Sequence, residues 1–344
     1  MRAMRLHELG GPDAFRLDDV PAPHAGAGEV RIRVHAVGLN YTDLAQRAGR
    51  LPGASPLPFT AGVEIAGVVD ELDDGVDGLS LGTRAIAVLP VGGGLAEHAV
   101  APAANVTPIP PNLAFEHAVA LPVLAPTALL LVRRIAELHD GKSVFVPGAA
   151  GAVGTLVVQL AKKHGARVIA STEHFGAPAQ TLAIRDAKRA LVRRLGADAL
   201  IDPERPDWPD QVREASGGRG ADAILVSGGE DVIGPSLRAL SPGGRLVLFG
   251  ADTMLSARLT NEHLRSVLAQ NQSVVGVATF TLPASELREA LLEVFALVER
   301  GAVEPIVAHT FALEEVSAAH RAMEAGQTSG KVVIRVGGAA TAAP

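Results

Sequence analysis

Across residues 1–100 apolar and polar positions alternate in short runs. Val30-Arg31-Ile32-Arg33-Val34-His35-Ala36-Val37 keeps a period of two, the signature of a half-buried strand. Gly62-Val63-Glu64-Ile65-Ala66-Gly67-Val68-Val69 predicts another strand, with glycines that point to close backbone contacts. Residues 83–88 and 96–100 continue the series. Turn signals separate the runs at Pro21-Ala22-Pro23, Leu51-Pro52-Gly53, Pro56-Leu57-Pro58 and Gly92-Gly93-Gly94. Short strands with frequent turns predict a compact, barrel-like β domain.

The pattern changes after 108–111. Residues 114–138 are helical in composition but interrupted at Pro122 and Pro126, which predicts two helical pieces. From Val144 onward strands and helices alternate. Strands are predicted at 144–147, 166–172, 197–202, 221–227, 244–250 and 273–278. Helices are predicted at 152–164, 180–195, 232–240 and 260–271. Such alternation implies a mainly parallel sheet covered on both faces, and six strands fit a full doubly wound fold. The tail changes pattern again, with a helix at 284–300, a short strand at 309–313, a helix at 313–325 and a strand at 331–336. It is expected to rejoin the first domain, with 337–344 frayed.

One stretch organises the second half. The apolar run Val144-Phe145-Val146 leads into Pro147-Gly148-Ala149-Ala150-Gly151-Ala152-Val153-Gly154, and an amphipathic pattern follows. Glycine lets the chain turn sharply and lets a phosphate approach bare amides. The helix start then offers unsatisfied N–H groups and a positive dipole end to a pyrophosphate. Any strand–helix turn can use glycine. The strand before, the helix after and the β run at 166–170 strengthen the reading as a dinucleotide site.

Composition narrows the possibilities. With 344 residues and 48% hydrophobic content, the chain can bury two cores and is not disordered. A net charge of −6 without a Lys/Arg block disfavours nucleic acid as a partner. No uninterrupted apolar run is long enough to span a bilayer. The first residues lack the apolar core of a signal peptide, so the expected location is the cytoplasm. There is no cysteine, which removes disulfides and thiolate metal sites. No Ser-His-Asp or paired-carboxylate arrangement supports hydrolysis.

Taken in order, further landmarks carry a family resemblance. They are Asn40-Tyr41-Thr42-Asp43, Gly62-Val63-Glu64-Ile65-Ala66-Gly67 and Leu121-Pro122-Val123-Leu124-Ala125-Pro126-Thr127-Ala128, then the glycine turn, Leu195-Gly196-Ala197-Asp198, Pro242-Gly243-Gly244-Arg245 and Gly330-Lys331-Val332-Val333. With these the chain resembles the zinc-independent branch of the medium-chain dehydrogenases/reductases, the quinone oxidoreductase (zeta-crystallin-like) group. The resemblance implies an α/β architecture: a Rossmann-type doubly wound parallel sheet over 126–278, and a GroES-like β-barrel catalytic domain from 1–125 and 279–344. It implies an active site in the cleft between the domains, with loops such as 47–58 and 252–265 lining it. A homodimer is expected, joined through strands near 273–278.

In the zinc-dependent relatives a cysteine ligand stands where this chain has Asn40, and a histidine ligand where it has Val63. Their cysteine-rich lobe after Glu97 is also missing. No metal is therefore expected, and His98 and His117 read as packing or surface residues.

For the nucleotide, the glycine turn (Gly148, Ala150, Gly151, Ala152, Val153, Gly154) is expected to hold the diphosphate. The second strand runs into Ser171-Thr172-Glu173, hydroxyls first and the acid third, whereas NAD-binding chains commonly put an acid at the strand end. Lys188 falls where NADP-binding members of the family carry a basic residue, with Arg185 and Arg189 beside it. All three could instead solvate a helix face. The expectation is NADPH rather than NADH. The connection 173–181 is longer than the family usually has, which bears on the placement of Lys188.

The resemblance further places Thr127, Phe249, Gly250, Val277 and Ala278 near the nicotinamide, and Lys331 approaching the cofactor from the tail. A quinone or enone that accepts hydride gains negative charge on oxygen, and a donor aimed there stabilises it. Tyr41, the only tyrosine, and Asn40 are the catalytic candidates; Tyr41 could equally line the barrel edge. Asp43 is read as bonding backbone, and Glu64 as buried and paired. The expected activity is NADPH-dependent reduction of a quinone or other conjugated carbonyl without zinc. The alternatives are an enoyl or alkenal reductase in a biosynthetic pathway, or a nucleotide-binding protein with little catalysis.

Overall fold

A computed structural model describes residues 1–51, 56–176, 178–229 and 231–337. The turn expected at Pro52-Gly53 and the tail expected to fray beyond 337 lie outside the described residues. The chain divides into two compact units. One comprises Met1–Val123, Ala284–Glu324 and the chain from Lys331; the other comprises Leu124–Pro283 and Ala325–Gly330. The cuts expected from the sequence fall after 125 and 278, with the whole tail in the first unit. The exception, 325–330, belongs to the second unit because Gly330 N–H donates to the Ala150 carbonyl at 2.8 Å.

The first unit is β-rich, as its period-two runs predict. The long strand Glu29–Leu39 sits at its centre, antiparallel to Glu64–Leu72, His98–Pro102 and Val332–Arg335. The sheet runs His309–Ala312, Val332–Arg335, Glu29–Leu39, Glu64–Leu72, Arg84–Val88, Val106–Pro108. A three-stranded sheet of Phe15–Asp19, Arg2–Leu6 and Phe59–Thr60 accompanies it. Ile32, Val34, Val37 and Leu39 pack with Ile65 and Val69 in one core, and Val332 and Ile334 of the tail join them. The tail strand thus enters the first unit through main-chain pairing and shared apolar burial.

The second unit carries six parallel strands in the order Ala199–Leu200, Arg167–Ala170, Ser143–Val146, Ala221–Val226, Leu240–Phe249, Ser273–Val277. In sequence terms the order is 3-2-1-4-5-6, the doubly wound arrangement whose ligands bind outside the carboxyl ends of the strands. All four residues of Ser143–Val146 are buried, which explains a continuous apolar run rather than an alternating one.

Several expectations shift. Pro126 does not break a helix. It lies third in Leu124–Leu129, inside the first turn, where a missing N–H costs nothing. That helix continues into a wider π turn over Leu130–Ile135. The helices Trp208–Ala215 and Ala251–Ser256 were not predicted. The tail helix begins as a 3-10 turn, Leu313–Glu315, before Val316–Glu324. No described helix is long and apolar enough to cross a membrane.

The long connection after Arg167–Ala170 is anchored by an aromatic contact. The Phe175 ring lies 4.8 Å from Trp208 and 6.4 Å, edge-on, from Phe145, which itself lies 5.5 Å from Trp208. Trp208 is the only tryptophan. Phe175→Ala is expected to cost about 2 kcal/mol, less than for a fully buried ring, and to shift the Trp208 emission. Unchanged emission and melting would show that the connection is not held at Phe175.

Candidate functional site

In the second unit the strand Ser143–Val146 ends in a turn that only small residues allow. Gly148 adopts φ +66°, a left-handed conformation that favours glycine. Its N–H donates to the Glu173 carbonyl at 3.0 Å, and Ala149 N–H donates to the Ser171 carbonyl at 2.8 Å. The turn is therefore stitched to the chain that follows the neighbouring strand. At Gly154 a Cβ would stand 2.7 Å from the Ala149 Cα, so the helix approaches the turn more closely than any side chain permits. Gly151 caps that helix, Ala152–Lys163, without a side-chain bond and with no acidic residue in the first turn. Its first N–H groups lack intrahelical acceptors, and the positive dipole end is uncompensated. Gly151, Ala152 and Val153 are part-exposed, while Ala150 and Gly154 are buried.

Next to the turn, Ser171 and Thr172 are buried. Ser171 Oγ donates to the Glu173 carbonyl at 2.7 Å, and Thr172 Oγ1 to the Glu173 carboxylate. The other carboxylate oxygen, Oε1, is buried and has no partner among the described residues. Lys188 does not solvate a helix face. It is buried, and its ammonium donates to the Gly326 carbonyl at 2.6 Å. Burial lowers its pKa, against the opposing charge of Glu173. Arg185 pairs with Asp202 at 3.4 Å and lies near Glu204. No local sequence signal points to Gly326, which lies 138 positions from Lys188.

Thr127 is buried in Leu124–Leu129. Phe249 and Val277 are register partners at the carboxyl ends of adjacent parallel strands, and Gly250 follows with φ +82°. Phe249, Gly250 and Val277 share the carboxyl edge of the sheet with the glycine turn.

In the first unit Asn40 begins the helix Tyr41–Arg47. Its N–H donates to Asp43 Oδ2 at 2.7 Å, which bears out the backbone-bonding role read for Asp43. Its amide nitrogen donates to Glu64 Oε1 at 2.8 Å, and its amide oxygen accepts from Lys331 Nζ at 2.8 Å. Lys331 and Glu64 form an ion pair with both side chains fully buried. The second Glu64 oxygen accepts the Val123 N–H at 3.2 Å. Lys331, the residue expected to approach a cofactor from the tail, contacts Glu64 and Asn40. A buried ammonium needs such a counter-charge. Tyr41, by contrast, is 49% exposed. Among the described residues no group of three or more His, Asp or Glu gathers as a metal ligand set.

Two family models match, an alcohol dehydrogenase GroES-like domain over residues 26–111 and a zinc-binding dehydrogenase over 195–334. A quinone oxidoreductase of Rattus norvegicus is 30% identical over 93% of this chain and 93% of that protein. The chain belongs to the quinone oxidoreductase group of the medium-chain dehydrogenases/reductases. A 2-haloacrylate reductase of a Burkholderia species is 31% identical over 96% of this chain and 97% of its own length. The structure of Escherichia coli quinone oxidoreductase complexed with NADPH superposes with a TM-score of 0.86, at 26% identity over 97% of this chain and all of that one (100%).

Asp43 adds a titration to this family frame. Burial, its largest influence, pushes the carboxyl up to about 7; the Asn40 N–H and Lys331 work the other way. An acid whose pKa is raised on folding contributes stability that is whole below its unfolded pKa and lost as pH rises through the folded value. Asp43→Asn keeps an acceptor for Asn40 N–H but cannot ionise. Between pH 5 and 8 the protein is expected to lose about 3 kcal/mol relative to Asp43→Asn, since the loss runs over the two units from pH 5 to the folded value of about 7 and each is worth about 1.4 kcal/mol. Denaturant titrations at both pH values check this; parallel losses would show that Asp43 does not titrate there.

Proposed function

We propose that this protein is an NADPH-dependent reductase that delivers hydride to a quinone or another conjugated carbonyl without a catalytic metal. The observation that carries the reading is the glycine turn set against an uncapped helix start at the carboxyl edge of a doubly wound sheet. That cradle fits a dinucleotide: Gly148, Gly151 and Gly154 carry no side chain, and no acid stands in the first helical turn. NADPH, when bound, supplies the hydride.

The chain's own residues do the rest. Amides of Ala150, Ala152, Val153 and Gly154 are the candidates to hold a diphosphate. Ser171, Thr172 and Lys188 are candidates at the adenosine ribose. Thr127, Phe249, Gly250 and Val277 are candidates at the nicotinamide. The Tyr41 hydroxyl and the Asn40 amide are candidate donors to the substrate oxygen that gains negative charge. Val63 has no ligand atom and the chain has no cysteine, so the residues do not fit the zinc set of the metal-dependent relatives. The NADPH complex of the similar Escherichia coli protein supports the cofactor. The 2-haloacrylate reductase is compatible with an activated double bond as the group reduced. We read the protein as a cytoplasmic homodimer joined at the sheet edge Ser273–Val277, near exposed Leu264, Leu268 and Phe280.

One observation favours NADH instead. The unpartnered Glu173 oxygen suits a ribose hydroxyl. Calorimetric titration with both nucleotides decides. The expected result is NADPH tighter by about tenfold, or about 1.4 kcal/mol; equal affinities would overturn the preference. Tyr41→Phe is expected to lower kcat about 100-fold with NADPH binding unchanged, the size of one lost oxyanion donor. An unchanged rate on a panel of quinones, enones and enoyl thioesters would remove Tyr41 from the mechanism.

A further inference from the structure

The geometry points to Lys331 and Glu64 as positioning residues that lock the Asn40 amide in a single orientation, so that one amide N–H is bound to Glu64 and the other is kept for the substrate oxygen. This rests on the reading of Asn40 as a donor.

An asparagine amide has two orientations related by a half-turn, and in most settings both are tolerated. Here only one is. As it stands, the amide nitrogen faces the Glu64 carboxylate and the amide oxygen faces the Lys331 ammonium. The half-turn would set the carbonyl oxygen against a carboxylate and the NH2 group against an ammonium. Both contacts would change from charge-assisted hydrogen bonds to repulsions, beside two side chains that are fully buried. The amide nitrogen carries two hydrogens and Glu64 takes one, so the orientation lock also fixes where the second can go.

The rest of the cluster is built around this contact. Gly38 sits opposite Glu64 on one neighbouring strand and Val333 on the other. A Cβ there would stand 2.6 Å from Lys331 Cε, 2.7 Å from Glu64 Oε1 and 2.9 Å from the Val119 carbonyl oxygen. Gly38 does not have a left-handed φ, so its missing side chain makes room for the ion pair rather than relieving the backbone. Lys331 is held by its own N–H on the Ile306 carbonyl at 2.7 Å, and Glu64 by the Val123 N–H. The Asn40 main chain is fixed separately by Asp43.

The test compares Glu64→Gln/Lys331→Met, which removes both buried charges together, with Asn40→Ala and with the triple variant. Turnover is measured with NADPH and either 1,4-benzoquinone or cyclohexenone. Side-chain amide signals of Asn40 are followed in protein labelled with 15N-asparagine. The paired substitution is expected to lower kcat by about tenfold to 100-fold, leave the NADPH dissociation constant within about twofold, and move both Asn40 amide proton signals toward the positions of a freely rotating asparagine side chain. In the Asn40→Ala background the same pair is expected to cost nothing further, because residues that act through one group are not additive. A loss of turnover that persists without Asn40, or Asn40 amide signals unchanged by the paired substitution, would overturn the proposal. If Asn40→Ala alone leaves turnover intact, the donor reading fails and the amide signals still decide the lock. If the paired variant does not fold, Gly38→Ala, which crowds the same pair, is expected to shift the same signals; unchanged signals there would also overturn it.

Discussion

Lys331 and Glu64 are fully buried, and neither charge could stay there without the other. Breaking such a pair leaves an uncompensated charge in the interior, which costs several kcal/mol, whereas the intact pair adds little to net stability. What the pair supplies is specificity. Its members lie 267 positions apart, Glu64 at the start of Glu64–Leu72 and Lys331 just before Val332–Arg335. Only a chain whose tail has returned to the first unit can satisfy both. The antiparallel pairing of Val332–Arg335 with Glu29–Leu39 and the burial of Val332 and Ile334 drive that return. The ion pair then sets its register, because a slip of one residue would carry Lys331 out of reach of Glu64.

The second unit solves the opposite problem. Its organising turn is shaped by the absence of side chains. The helix Ala152–Lys163 approaches Ala149 where a Cβ at Gly154 could not fit, and the turn is held by main-chain bonds to Ser171 and Glu173. Main chain presented to a ligand in this way binds charge through oriented amides rather than through a side chain. Unit one buries an ion pair and points an amide with it; the glycine turn of unit two exposes peptide dipoles.

Much of this was legible in the chain. The alternation of strands and helices from Val144 to 278 yields the six-stranded sheet because buried parallel strands must read as short continuous apolar runs. The glycine turn was legible from the spacing of 148, 151 and 154. What was not legible depends on partners far away in sequence. Glu64 read as buried and paired, but nothing local names Lys331. Lys188 read as an exposed or phosphate-facing cation, and only the return of Gly326 shows where its ammonium goes. Pro126 read as a break because its position within a helix turn cannot be judged until the helix start is known.

The segment from 325 to 331 joins these two chemistries along the chain. Gly326 and Gly330 both adopt left-handed φ, +64° and +59°, which an L side chain resists. At one end Gly326 offers its carbonyl to Lys188; at the other Gly330 donates to Ala150 in the glycine turn. The next residue is Lys331, which donates to Asn40. A phosphate at Lys188 would be a stronger acceptor than a neutral carbonyl, and an ammonium has three donors, so Gly326 need not be given up for a phosphate to be bound. The cost lies in desolvation, which already lowers the pKa of Lys188 and is opposed by Glu173. Nucleotide choice in this chain therefore turns on whether Glu173 acts as the counter-charge of Lys188 or as the acceptor of a ribose hydroxyl. As an anion the carboxylate repels a 2′-phosphate and suits the hydroxyl that the phosphate replaces, so an NADPH preference requires the Lys188 ammonium to outweigh it.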